Sequence, residues 1–215
     1  MLLTRCTALA AIALTLSGCI IVDVSDSGNG HDEDSAHSVN ADLHLSAKRE
    51  HGDAASVNGD IHLAAGARAG EVETVNGDIY LGPNAHVEEV ESVNGNIDAE
   101  AGAHIRDDVE SVNGRVTLTQ TSVAGDVELA NGSLELSDST VHGDIELRNT
   151  PLTLRGTTLV HGDVILRSKD ASSPPILVSI GPQVRIAGAL VLDRPVVLEL
   201  DPRADISQIR GRFAP

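Results

Sequence analysis

The side chains best suited to chemistry are histidines and carboxylates that return at a fixed distance. His86 and His104 are 18 residues apart, and Arg68 stands 18 before His86. His44 and His62 are also 18 apart, and their column continues through Tyr80, Asp98 and Thr117. Two imidazoles on neighbouring strands make half of a zinc shell; a zinc site needs a third or fourth ligand, which neither column supplies. The second group is acidic: Glu71, Glu73, Glu88, Glu89, Glu91, Asp107, Asp108 and Glu110 line a corner. Like charges stacked this closely repel, and divalent cations would relieve them, as would exposure to solvent and salt. His31-Asp32-Glu33-Asp34 also gathers ligand types in one run, although such runs are more often just solvated. No residue is assigned as catalytic or metal-binding from these patterns, and no cofactor is expected.

The elements that must carry these columns are set by a repeat. Ser92-Val93-Asn94-Gly95-Asn96-Ile97 is one copy of a phrase that returns through the chain. Asn40, Asn58, Asn76, Asn94, Asn113, Asn131 and Asn149 occupy the same point of it, at steps of 18, 18, 18, 19, 18 and 18 residues. A fixed period near 20 residues marks a solenoid. Within one period, Ile61-His62-Leu63 and Val72-Glu73 alternate apolar and polar, the pattern of short strands with one buried face. No stretch sustains a 3.6-residue period.

Successive periods align into rows: Ile61, Ile79, Ile97 and Val116; Leu63, Leu81, Ala99 and Leu118; Val72, Val90 and Val109; and Val57, Val75, Val93 and Val112. Stacked, these four rows make a continuous aliphatic core that no single turn could bury alone. The expected fold is therefore all-β, a single-domain parallel β-helix with ~18-residue coils spaced ~4.8 Å apart. Right-handed winding is favoured because parallel crossovers take that hand. The left-handed hexapeptide helix is the alternative, and Val75, Leu81, Val87, Val93, Ala99 and Ile105 do fall six apart. The Gly that follows the apolar residue in that helix is missing from most of them.

The asparagine column reads as structural. Asn tolerates the left-handed backbone of a tight corner, the adjacent Gly relieves crowding, and Asn residues in register can hydrogen-bond along the axis as a ladder. The second half keeps the period with different wording. Gly125-Asp126, Gly143-Asp144 and Gly162-Asp163 recur 18 and 19 residues apart, which implies that the corner has moved while the coil continues. The extra residue near Asp107-Asp108 is a corner insertion. The polar segment from Lys169 to Pro175 interrupts the pattern before further strands at 176–180, 184–192 and 196–200. Pro195, Pro202 and the tail with Phe213 are candidates for the cap that an open solenoid end requires.

Composition agrees with a thin core. Aromatics are 1% of the 215 residues, with Tyr80, Phe213 and no Trp. The formal charge of −17 repels nucleic acid, so no nucleic-acid partner is expected. The two cysteines, Cys6 and Cys19, both lie in the first 19 residues, which leaves no disulfide framework for the body.

The N-terminus reads as an address. Arg5 precedes the apolar run Ala8 to Leu16, too short to span a bilayer. It ends in Leu16-Ser17-Gly18-Cys19, which resembles the lipobox of bacterial lipoproteins. The resemblance implies cleavage before Cys19 and acylation of that residue, with stable anchoring by more than one chain. Ile20 in place of Asp after the cysteine implies the outer membrane of a Gram-negative cell envelope. Residues 1–18 are thus expected as a lipoprotein signal peptide, 19–37 as a lipidated acidic flexible tether, 38–202 as the β-helix, and 203–215 as a C-terminal tail or cap.

The repeated Val-Asn-Gly-x-Ile-x-Leu resembles a bacterial family of predicted adhesins whose β-helical domain has no assigned function. It is similar more distantly to the bactofilins, polymer-forming cytoskeletal β-helices. The resemblance covers roughly Ser38 to Leu166 and implies a structural or adhesive role, with no catalytic residues to carry over. The expected function is therefore non-enzymatic: an envelope lipoprotein with a structural, adhesive or self-assembly role, held to the membrane by its lipid and meeting itself or a surface partner. A module binding divalent cations or polysaccharide is the second reading. A polysaccharide-acting β-helix enzyme is the third, disfavoured by short corners and few aromatics.

Overall fold

The computed structural model describes residues 35–48, 50–168 and 172–214. Cys19, the leader and the His31–Asp34 run lie outside the described residues. The described residues form 24 strands and no helix. Their pairings are parallel from the first coil to the last.

Each coil has three sides joined by three corners; on the third side the first two coils contribute, among the described residues, only the bridge residues Glu50 and Arg68. The first face stacks Ala36–Ser38, Ala54–Ser56, Val72–Thr74, Val90–Asn94, Val109–Asn113, Val127–Ala130, Ile145–Arg148 and Val164–Arg167. The second stacks nine strands from Leu43–Leu45 to Val196–Leu200. The third holds the short strands His86–Val87, His104–Ile105, Ser122–Val123, Thr140–Val141 and Leu159–Val160. Near the end, Arg185–Asp193 runs unbroken round a corner: Arg185 and Ile186 pair with the third face and Leu190 to Asp193 with the first. The parallel β-helix with 18-residue coils is thus the observed fold.

Three of the four expected core rows are inside. Ile61, Ile79, Ile97 and Val116 are fully buried, as are Val72, Val90 and Val109, and the Leu63 row is at most 3% exposed. The fourth row is not a core row. Val57, Val75, Val93 and Val112 are half-exposed. Strict alternation explains it: with Val72 inside and Glu73 outside, Thr74 must point in and Val75 out. The inward places belong to Ser38, Ser56, Thr74, Ser92 and Ser111, all buried, and then to Leu129, Leu147 and Leu166 in the same column. Of the six residues spaced six apart, Leu81, Val87, Ala99 and Ile105 are buried, whereas Val75 and Val93 face out.

Three of the five inward hydroxyls serve the corner, whereas Ser56 Oγ and Ser111 Oγ are buried without a hydrogen-bond partner among the described residues. Thr74 Oγ1 donates to the Gly59 carbonyl at 3.3 Å, Ser92 Oγ donates to that of Gly95 at 3.3 Å, and Ser38 Oγ accepts from the Ala41 N–H at 2.9 Å. They satisfy corner backbone that an aliphatic side chain would leave unpaired.

The asparagine ladder is present in two flights. Asn58, Asn76, Asn94 and Asn113 each donate from Nδ2 to Oδ1 of the preceding asparagine, beginning at Asn40, at 2.9–3.0 Å. Asn149 donates to Asn131 at 3.2 Å. Asn131 and Asn149 sit in the left-handed region, at φ 59° and 54°, where the inward hydroxyl has become leucine. The earlier asparagines are not left-handed, so conformational tolerance is not what selects them. Nor has the corner moved: Gly132 stacks on Gly114, and Gly125-Asp126 occupies a different corner of the coil. The positive-φ column is at the second corner, at Gly66, Asn84, Gly102, Gln120, Asp138 and Gly156, each 18 residues from the last.

Arg194 terminates the ladder. Only 1% exposed, it donates to Asn149 Oδ1 at 2.9 Å and to the Pro174 carbonyl at 2.8 Å. Burial of the guanidinium lowers its pKa from the usual arginine value. The solenoid also continues past residue 202: Asp205–Arg210 is a further strand on Arg185–Asp193. Ile206, Ile209 and Phe213 then pack against the core end, which makes the tail a cap. At the other end, Ala36–Ser38 already pairs with Ala54–Ser56, so strand structure begins two residues before Ser38.

Asn94 both donates to Asn76 and accepts from Asn113. Asn94→Ala is therefore expected to lower stability by about 1–2 kcal/mol, read from the urea midpoint. Loss of a ligand at unchanged midpoint would instead make this column a binding site.

Candidate functional site

The outer surface of the first face gathers the carboxylates. Its strands alternate, so every second side chain faces solvent, and parallel in-register pairing brings equivalent residues into columns. One column is Glu73, Glu91, Glu110, Glu128 and Glu146, matched position by position between strands. It continues as Ile165. Beside it, at the third corner, runs Asp53, Glu71, Glu89, Asp108, Asp126, Asp144 and Asp163. The other flank is the half-exposed valine column. The acidic corner expected from sequence is thus a two-column face that extends further toward the C-terminus than Glu110.

The corner column has a backbone task. Asp53 Oδ1 accepts the Glu71 N–H at 3.0 Å. Asp108, Asp126, Asp144 and Asp163 each accept, at 2.7 Å, the N–H of the residue stacked above, the last being Ala189. Asp42, Asp60 and Asp78 do the same at the first corner, for Asp60, Asp78 and Asn96. A glycine precedes each third-corner donor because a Cβ there would meet the carboxylate below. The recurring Gly-Asp pair is the sequence signal for this ladder.

The Glu column is most buried at its N-terminal end. Glu73 is 7% exposed and Glu91 9%. Half-exposed valines lie on one flank and the corner on the other. Burial pushes the Glu73 carboxyl up to about 9, reinforced by a hydrogen bond with Glu71 and by the charges of Glu71, Glu91 and Asp53. Burial also raises Glu128, with Glu110 and Glu146 adding to it. Glu73 Oε2 is buried without a hydrogen-bond partner. Glu71, Glu73 and Glu91 each place one oxygen within 4.8 Å of the other two, and Glu89, Glu91 and Glu110 form a second such group. Toward the C-terminus arginines reach the face: Arg167 meets Glu146 at 3.1 Å and Arg210 meets Asp163 at 2.8 Å.

The histidine columns are ring stacks. His44, His62 and Tyr80 stack at 4.8 and 4.6 Å, and His86 on His104 at 5.0 Å. His142 and His161, 19 apart and not singled out from sequence, stack at 4.8 Å. Parallel rings at this spacing do not converge on one point, so these pairs lack the geometry of a metal shell. Tyr80 donates to Asp78 Oδ2 at 3.0 Å, and that bond holds its hydroxyl up at about 12. A shallow hollow of about 180 Å³ lies near the N-terminal end, lined by His51, Asp53, Arg68, His86, Glu88 and Arg106. Arg106 closes on Glu88 at 3.2 Å. Burial, with Arg68 and His104 adding, lowers the His86 pKa.

No protein-family model, curated protein or solved structure matches the chain.

Proposed function

We propose that the protein is a non-enzymatic envelope lipoprotein: a rigid rod, tethered by acylated Cys19, that displays a periodic acidic surface to an envelope or surface partner or to another copy. The observation that carries this reading is the unbroken stack. One core runs from Ala36 to Leu192, and its exterior columns repeat at the ~4.8 Å strand spacing. Such a body suits holding many identical groups at fixed distances, over roughly 45 Å of rod. The sequence adds the leader and the Leu16-Ser17-Gly18-Cys19 motif.

Anchoring is tested by fractionating bacteria that express the full chain or its Cys19→Ala variant. The wild type is expected in the membrane fraction with a palmitate label. The variant is expected unlabelled and released from the membrane, because no acyl chain remains to be buried. Equal membrane association of the two chains would overturn the tethered-rod reading.

A further inference from the structure

We propose that Glu71, Glu73 and Glu91 form a calcium site on the first face. The site is independent of what the rod displays or meets, because it is built from this chain's own side chains.

Glu73 Oε2 is closed to solvent and receives no hydrogen bond, on a side chain 7% exposed. A buried carboxylate oxygen without a donor is costly. Its neighbours on this face, Glu71, Glu91 and Asp53, are themselves carboxylates. What the position lacks is a cation. Three carboxylates already converge on it. Glu73 and Glu91 are direct register partners on adjacent strands, and Glu71 lies two residues before Glu73 on the same outer side. The stacked coils fix all three backbones, so little ordering remains to be done when an ion arrives.

Ligand chemistry selects the ion. An all-carboxylate set is hard and suits calcium or magnesium rather than zinc. Coordination habit then separates these two. Calcium takes oxygens in flexible geometry, whereas magnesium demands a near-ideal octahedron and keeps several waters, which carboxylates closed from solvent do not favour.

The test is a thermal melt of the purified full chain, stripped with chelator at pH 8, with calcium or magnesium chloride added. Calcium at ~100-fold over its Kd is expected to raise Tm by roughly 5–10 °C, and magnesium by less. Glu73→Gln and Glu91→Gln, shown to be folded by circular dichroism, are expected to lose the calcium response. Glu146→Gln, three coils from Glu91 and paired with Arg167, is expected to keep it. A wild-type Tm that ignores millimolar calcium overturns the proposal. So does a Glu91→Gln chain that responds as fully as the wild type.

Discussion

Gly95→Ala is expected to cost about 3 kcal/mol or more, near the upper end for an overpacked site. A Cβ on Gly95 would fall on the carbonyl oxygen and carbon of Gly77, in the coil before it. Neither atom belongs to a side chain that could swing away. The two coils would have to part at a corner where the Asn94 N–H bonds the Val75 carbonyl at 2.8 Å and the Gly95 N–H bonds that of Asn113 at 3.2 Å. The ladder bonds of Asn94 would stretch with them. Gly66→Ala is the control. Gly66 has φ +72° but nothing within 4 Å of its would-be Cβ, so that substitution should cost only the ~1–2 kcal/mol of a left-handed alanine. Urea unfolding of the two variants separates crowding from conformation. A Gly95→Ala cost no larger than that of Gly66→Ala would refute the close-approach explanation.

The second large effect is a pH dependence with an unusual sign. Glu73 is raised from 4.5 to about 9 by burial, then by Glu71, Glu91 and Asp53. An acid with a raised folded pKa binds its proton more tightly in the folded chain than in the unfolded one. Its contribution to stability is complete below pH 4.5 and is lost progressively as the pH climbs from 4.5 toward 9. Most carboxylates act the other way; Asp138, held low by its bonds with Thr157, favours the folded chain above its ordinary pKa. Glu73→Gln isolates the effect. In calcium-free buffer the variant should be more stable than the wild type by a few kcal/mol at pH 8, since each pKa unit corresponds to ~1.4 kcal/mol. The gap should close near pH 4.5. A difference that does not vary with pH would mean that Glu73 is ionised in the folded chain throughout.

The period, the fold class, the corner insertion near Asp108 and three core rows are legible in the sequence, because an 18-residue repeat forces equivalent residues into register. The valine row misleads for a physical reason. Hydrophobicity points Val75 inward, but the pleat admits only alternate residues, and Thr74 takes the place because its hydroxyl serves the corner. The glycines beside the asparagines are legible as relief of crowding, and they let one coil's carbonyl approach the next; the left-handed backbone expected of the earlier asparagines is absent. The true left-handed column is written in mixed residue types, Gly66, Asn84, Gly102, Gln120, Asp138 and Gly156, and so does not stand out as a repeated letter. The acids Glu71, Glu73, Glu89, Glu91 and Glu110 are visible as a group. Which of them are buried is not written in the repeat: Glu73 and Glu91 are buried, whereas Glu110, at the same place in its coil, is half-buried. Arg194 carries no repeat signal, being a single residue at the end of the stack.

The parallel stacking also fixes how the rod would behave under load. Strands lie across the axis, so the backbone hydrogen bonds between coils point along it. A pull applied between the two ends of the stack would strain only the bonds of the outermost coil at any moment, instead of shearing a whole sheet at once. Each coil that peels away releases about 18 residues, or about 60 Å of extended chain. Such a tether yields by stepwise lengthening at low force, and its reach can far exceed its folded length before the last coil gives way.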